Sequence, residues 1–220
     1  MISEVRGVAD MKFSTSDMCD NFFNVDTSVV NREKKSLNDM FFGYDAVEYS
    51  SLEYLYKKYP FSDNECVVDF GAGKGRPLIM AAYYGCKTVI GYEIDTNRSG
   101  LLIKNIENFK RKFDILFDFY VYNSDAVDAV ITKDMTRFIM YNPFHAVVQV
   151  YIIDKIVESL KNSSRIVQIY LFSPFKEVIG YIESLGLFKR AEIKKYNHEF
   201  ALDINNIKED VMFAVYSSEI

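Results

Sequence analysis

The stretch Val67-Val68-Asp69-Phe70-Gly71-Ala72-Gly73-Lys74-Gly75-Arg76 constrains the fold more than any other part of this chain. A short apolar run that closes on an acid reads as a buried parallel strand. Three glycines at alternate positions then allow positive φ and close approach of a ligand, and a helix opening at Arg76 offers free N–H groups. The glycine spacing separates three readings. A dinucleotide fingerprint needs GxGxxG, whereas the third glycine here falls at 75 and position 76 is arginine; a phosphate-binding loop needs GxxxxGK followed by Ser or Thr, whereas Lys74 is followed by Gly75. What remains is GxGxG.

The chain beyond Asp45 repeats the same alternation. Helical spacing predicts a helix over 46–59, stopped by Pro60, then a strand over 66–70 and a helix over 76–85 with proline in its first turn. A strand over 87–94 precedes an amphipathic helix over 96–113, whose basic last turns complement the helix dipole. Further strands are predicted over 114–122, 137–142 and 165–172, with helices over 144–163 and 175–186. Two last strands, over 188–196 and 210–218, have no helix-length gap between them. Alternating strands and helices build a parallel sheet with right-handed crossovers, and a terminal pair without a helix adds an antiparallel edge. The expectation is an α/β fold with seven strands.

Its 220 residues suit one generous domain. We divide it into an N-terminal lid or cap segment, 1–43, and a main domain, 44–220. Phe22, Phe23, Phe41 and Phe42 are apolar anchors of the lid, and 31–39 reads as a solvated charged helix. The hydrophobic share of 49% supplies a sizeable core, and a net charge of −5 argues against an extended nucleic-acid face. Cys19, Cys66 and Cys86 show no CxxC spacing, so neither a disulfide framework nor a zinc knuckle is expected. The N-terminal residues lack the pattern of a signal peptide, and no apolar stretch approaches the roughly 20 residues of a membrane helix. These points predict a cytoplasmic protein with no membrane partner and no bound metal.

Two acids extend the glycine turn into a candidate nucleoside site. Glu93 lies at the tip of the second predicted strand, twenty residues beyond Gly73, where a carboxylate accepts both ribose hydroxyls. Asp125 follows the third strand and is placed to accept from an adenine amino group, with the Ala126 N–H near the ring. A solvated Glu93 and a merely capping Asp125 are the plain alternatives.

Asp69-x-Gly71-x-Gly73-x-Gly75, Glu93, Ser124-Asp125-Ala126 and Asn142-Pro143-Phe144 occur in the order found in class I S-adenosylmethionine-dependent methyltransferases. The resemblance spans roughly 44–218 and implies a Rossmann-like, three-layer αβα sandwich. GKGR, the YNPF step and the ending IKEDVMFAVY look closest to a group of poorly characterised bacterial methyltransferases. Those carry Tyr-Glu-Pro-Thr-Pro-Tyr where this chain has Tyr44-Asp45-Ala46-Val47-Glu48-Tyr49, which keeps both tyrosines but neither proline nor threonine.

The resemblance implies S-adenosylmethionine as cofactor and S-adenosylhomocysteine as product. Gly71, Ala72, Gly73 and Gly75 would pass under the methionine part, Asp69 would organise the turn and receive the amino group, Glu93 with Ile94 would hold the ribose, and Asp125 with Ala126 the adenine. Asn142-Pro143-Phe144 is the candidate catalytic step. In amine-methylating relatives, the side-chain oxygen and a backbone carbonyl accept the two amine hydrogens while the aromatic stacks on a planar substrate. With one proline rather than two, the alternative is that Pro143 starts the next helix, with Asn142 as its cap. His145 is a candidate general base, or an incidental first-turn histidine. Tyr49 and Phe144 are candidate substrate contacts, against plain core packing.

The predicted activity is in-line methyl transfer to N or O of an acceptor. A small molecule is favoured by the acidic composition, and the lysines around 104–112 and 32–35 leave RNA or protein open. A catalytically silent S-adenosylmethionine-binding or partner protein on this fold is the alternative, and an NAD-dependent oxidoreductase is disfavoured by the glycine spacing.

Overall fold

The computed structural model describes residues 15–28, 44–195 and 211–218. The expected charged helix over 31–39, Phe41, Phe42 and the lysine cluster at 32–35 lie outside the described residues.

Two helices precede the sheet, α1 (Ser16–Phe23) and α2 (Tyr49–Lys58). Then β1 (Cys66–Phe70), α3 (Arg76–Tyr83), β2 (Thr88–Tyr92), α4 (Thr96–Phe113) and β3 (Asp118–Tyr122) alternate. After a single 3₁₀ turn at Ala126–Asp128 come β4 (Arg137–Tyr141), α5 (Ala146–Asn162), β5 (Gln168–Phe172), α6 (Lys176–Ser184), β6 (Phe188–Lys195) and β7 (Val211–Ser218). The order across the seven-stranded sheet is β3-β2-β1-β4-β5-β7-β6. The first five strands pair in parallel, and β7 runs antiparallel between β5 and β6. Chain order reverses between β1 and β4, and in open α/β sheets that switch point opens the ligand crevice at the strands' carboxyl ends.

Strand alternation assigns the two faces. Val67, Val89, Ile139, Tyr170 and Val215 pack with Phe23, Leu52, Leu78 and Phe109 beneath α1 to α4. Val68, Phe70, Ile90, Phe138 and Leu171 pack with Phe144, Ile152, Ile156, Val178 and Ile182 beneath α5 and α6. This is the expected three-layer sandwich. No helix of the described residues is long and apolar enough to cross a membrane, and all three cysteines are free and buried.

The helix α4 occupies the span expected from sequence because each boundary has a local cause. Asp95 caps it by accepting from the Arg98 N–H at 2.9 Å, and Asp114 ends it in the left-handed conformation. Leu102, Ile106 and Phe109, on one face at helical spacing, are fully buried, each contributing about 2 kcal/mol. Other boundaries contract where a loop residue holds the backbone. The helix expected from 46 begins at Tyr49, and that expected from 144 begins at Ala146, because Asn142 takes a φ of 41°. The strand expected from 114 begins at Asp118, after the α4 cap.

Candidate functional site

The glycine turn is built from hydrogen bonds that it makes back onto β2. The Gly71 and Ala72 amides both donate to the Tyr92 carbonyl at 2.9 Å, and Gly75 donates to the Ala72 carbonyl at 2.8 Å. Gly71 and Gly73 have φ of 77° and 54°, where a side chain is strained. A Cβ at Gly71 would stand 2.3 Å from Pro143 Cβ, and one at Gly73 would stand 2.4 Å from the Tyr44 ring. Thus Pro143, from the candidate catalytic step, and Tyr44 both rest directly on the turn.

Glu93 organises this turn. Its Oε2 accepts the Gly73 N–H at 2.8 Å, and its Oε1 accepts the Asp95 N–H at 2.9 Å. The residue is 5% exposed, so it is a built-in part of the loop rather than a solvated strand end. The organising part expected of Asp69 is therefore taken by Glu93. Asp69 itself is buried at the end of β1 and lines the adjacent crevice. Burial, reinforced by the negative charge of Glu93, pushes its carboxyl up to about 8.

A small crevice open to solvent is lined by Tyr44, Asp45, Val47, Asp69, Gly71 and Tyr141. Tyr141 Oη donates to Asp45 Oδ2 at 3.1 Å across its mouth. It lies at the methionine end of the site that the sequence predicts.

At the opposite end, Asn123 ties two strand tips together by donating to the Glu93 and Ile94 carbonyls at 2.9 and 3.0 Å. Ile94 is 38% exposed. Asp125 Oδ1 caps the 3₁₀ turn by accepting the Val127 N–H at 3.1 Å, with Ala126 buried behind it. The cap reading of Asp125 thus describes one of its oxygens.

Asn142 does not cap α5; that position belongs to His145. Asn142 is instead a left-handed residue at the carboxyl end of β4, an uncommon and strained geometry for a non-glycine residue. Its Oδ1 faces Gln149 Nε2 at 3.4 Å, and the same amide donates to the Phe144 carbonyl at 3.0 Å. Phe144, expected as the stacking aromatic, is drawn into the core. His145 is exposed, and its ring lies 5.8 Å from that of the half-buried Phe175. Tyr49, expected at the acceptor, is buried; its hydroxyl donates to Asp20 Oδ1 at 2.5 Å, and burial followed by that hydrogen bond raises its pKa.

The basic residues of the turn bond to the segment after α1, and Arg76 also lines the crevice. Arg76 donates to Thr27 Oγ1, the Thr27 carbonyl and the Val47 carbonyl at 2.8 to 3.1 Å, and lies 4.3 Å over the Tyr49 ring. Lys74 donates to the Ser28 carbonyl at 2.8 Å, and Asn105 bonds both the Asp26 amide and its carbonyl. Asp20 completes the network through the Thr27 amide and hydroxyl at 2.6 Å. Residues 20–28 are therefore strapped onto the glycine turn. Sequence reasoning missed Asn123, Gln149, Arg98 and this strap. Only Lys74 and Arg76 signalled it, as cations in a loop that binds no phosphate pattern.

The chain matches the family model described as histone methylation protein DOT1 over residues 27–202. No curated protein matches it by sequence. Among solved structures it is similar to a provisionally assigned RNA methyltransferase from Pyrococcus horikoshii, at 23% identity and a TM-score of 0.52, over 78% of this chain and 82% of that one. A SAM-dependent O-methyltransferase from Thermotoga maritima is similar at 15% identity and a TM-score of 0.57, covering 80% and 68%. A ribosomal protein L11 methylase from Lactobacillus delbrueckii is similar at 14% identity and 0.53, covering 78% and 79%. These likenesses carry the fold. The family match spans most of the chain, which therefore belongs to the DOT1 family of class I methyltransferases.

Proposed function

We propose that this chain binds S-adenosylmethionine across the carboxyl edge of the sheet and transfers its methyl group to an amine nitrogen held beside Asn142. The observation that carries the reading is Asp69, a buried carboxyl lining the crevice to which no described residue donates a hydrogen bond. A buried acid that receives no hydrogen bond and sits beside a second acid calls for a cation, and the cofactor's amino group is one. The amides of Gly71, Ala72, Gly73 and Gly75 are engaged within the protein, which suits a nucleoside better than the pyrophosphate of a dinucleotide.

Bound there, the cofactor supplies an activated methyl on a sulfonium with its own leaving group. The protein's work is alignment and exclusion of water. Glu93 and Ile94 hold the ribose, Asp125 and Ala126 the adenine, and Gly71 to Gly75 with Asp69 the methionine part. Pro143 sets Asn142 against the turn, so that Asn142 Oδ1 can accept an amine hydrogen and aim the nitrogen lone pair. His145, exposed three residues beyond Asn142, would take up the proton lost after transfer.

The acceptor favoured by the family description is a protein, rather than the small molecule suggested by composition. Exposed Asp45 at the crevice mouth and the net charge of −5 would attract a basic segment. Calorimetry with S-adenosylhomocysteine tests the cofactor, and transfer of labelled methyl to a lysine-rich histone against a small-amine mixture tests the acceptor. Absence of S-adenosylhomocysteine binding would sink the enzyme reading and favour a partner protein on this fold. Label confined to the small amines would return the acceptor to that class.

A further inference from the structure

The guanidinium of Arg98 differs from its neighbours. Arg76, Arg137 and Arg165 each spread their donors over carbonyls, hydroxyls or carboxylates of the protein. Arg98, in the first turn of α4, lies with Nε 3.3 Å from Glu93 Oε1 and Nη2 3.9 Å from Asp95 Oδ2, while its side chain is 22% exposed. The Nε–H does not point at the Glu93 oxygen, and this buried donor has no hydrogen-bond acceptor among the described residues. A buried donor without an acceptor is costly and uncommon in a folded protein. Here it stands beside the carboxylate assigned to the ribose.

The chemistry of a vicinal diol supplies what is missing. Each ribose hydroxyl both donates and accepts, whereas an ionised carboxylate only accepts. Glu93 already takes the Gly73 and Asp95 amides, one on each oxygen, leaving it able to receive hydroxyl protons but unable to serve the hydroxyl oxygens. We propose that Arg98 is the donor half of the ribose site: its Nε–H bonds the oxygen of a hydroxyl whose proton Glu93 accepts. The pair then selects a ribonucleoside over its deoxy counterpart. This inference rests on the cofactor reading above.

Calorimetry on the full chain would compare S-adenosylhomocysteine with its 2′,3′-dideoxy analogue in wild type, Arg98→Ala and Arg98→Lys. Arg98→Ala should weaken S-adenosylhomocysteine about tenfold or more but leave the dideoxy analogue within about twofold, and Arg98→Lys should recover part of the loss. Equal weakening of both ligands would mean that Arg98 only supports Glu93 and the start of α4, and would overturn the proposal. Unchanged S-adenosylhomocysteine affinity would overturn it too. A wild-type chain that binds neither ligand defeats the cofactor reading and this inference together, whereas wild-type binding with indifferent variants defeats this inference alone. Should ligand-free Arg98→Ala fail to show a cooperative melt, Arg98→Gln, which keeps a donor and most of the length, replaces it.

Discussion

The Gly73 amide and the Glu93 carboxylate are joined by a 2.8 Å hydrogen bond that spans twenty residues of chain. It makes the glycine turn and Glu93, the acid proposed to hold the ribose, one unit: whatever displaces the carboxylate also releases the turn. Glu93→Ala should therefore lower stability as well as cofactor affinity, by about 1–3 kcal/mol for the orphaned amides. Glu93→Gln, which keeps one acceptor oxygen, should lose less stability. Thermal melts with and without S-adenosylhomocysteine separate the two effects.

Alanine at Gly71 should be worse than at Gly73. Both positions impose the left-handed strain, about 1 kcal/mol, but the added methyl at Gly71 meets the Pro143 ring, which is fixed to its own backbone, whereas that at Gly73 meets the Tyr44 ring, which can yield by side-chain rotation at the cost of its hydrogen bond to the Thr27 carbonyl. Combining Gly73→Ala with Tyr44→Ala should recover the steric part only. Chemical denaturation midpoints of the three variants test the ranking, and equal losses at both glycines would contradict it.

Cofactor binding should be pH-dependent through Asp69. Burial and Glu93 raise its carboxyl to about 8, so the ligand-free protein holds it mostly neutral at pH 7. A cationic amino group favours the ionised form, so binding releases a proton and affinity should climb with pH until about 8, then level. The same raised value means that folding stability is lost as pH rises from the unfolded carboxyl's range through about 8. Asp69→Asn should flatten both profiles; a wild-type affinity that does not change between pH 6 and 8 would refute the assignment.

Arg76 should matter for the fold out of proportion to its distance from the chemistry. Its buried guanidinium holds Thr27 and Val47, and Thr27 holds Asp20. Arg76→Leu removes the donors that hold the Thr27 hydroxyl and the Thr27 and Val47 carbonyls, at a cost of about 1–3 kcal/mol. At roughly 2–4 °C per kcal/mol for a chain of this size, the melting temperature should fall by about 2–12 °C. Scanning calorimetry reads this directly.

At Asn142, Gln149 should act as a positioning residue. Gln149→Leu removes the amide that faces both Asn142 Oδ1 and the Phe144 carbonyl without touching the cofactor. Methyl transfer should slow by about tenfold or more while S-adenosylhomocysteine affinity is unchanged.

The order of elements, the extent of α4, the alternation that assigns each strand residue to a face and the positions of the glycine turn and Glu93 were all legible in the sequence. They depend on local periodicity, caps and glycine, which act over a few residues. Contacts that join distant segments leave no local pattern, and these the tertiary structure decided. Tyr49 reads as a candidate substrate contact until Asp20, from 29 residues earlier, claims its hydroxyl. Phe144 reads as an aromatic that stacks on a planar substrate, yet after the left-handed residue Asn142 it is packed in the core beneath α5. Lys74 and Arg76 read as a basic loop until the strap at 20–28 supplies their acceptors. The sequence by itself determined a doubly wound sheet with a glycine turn at its carboxyl edge, because that pattern is local; which side chains line the crevice was set by packing, because burial and hydrogen-bond partners come from elsewhere in the chain.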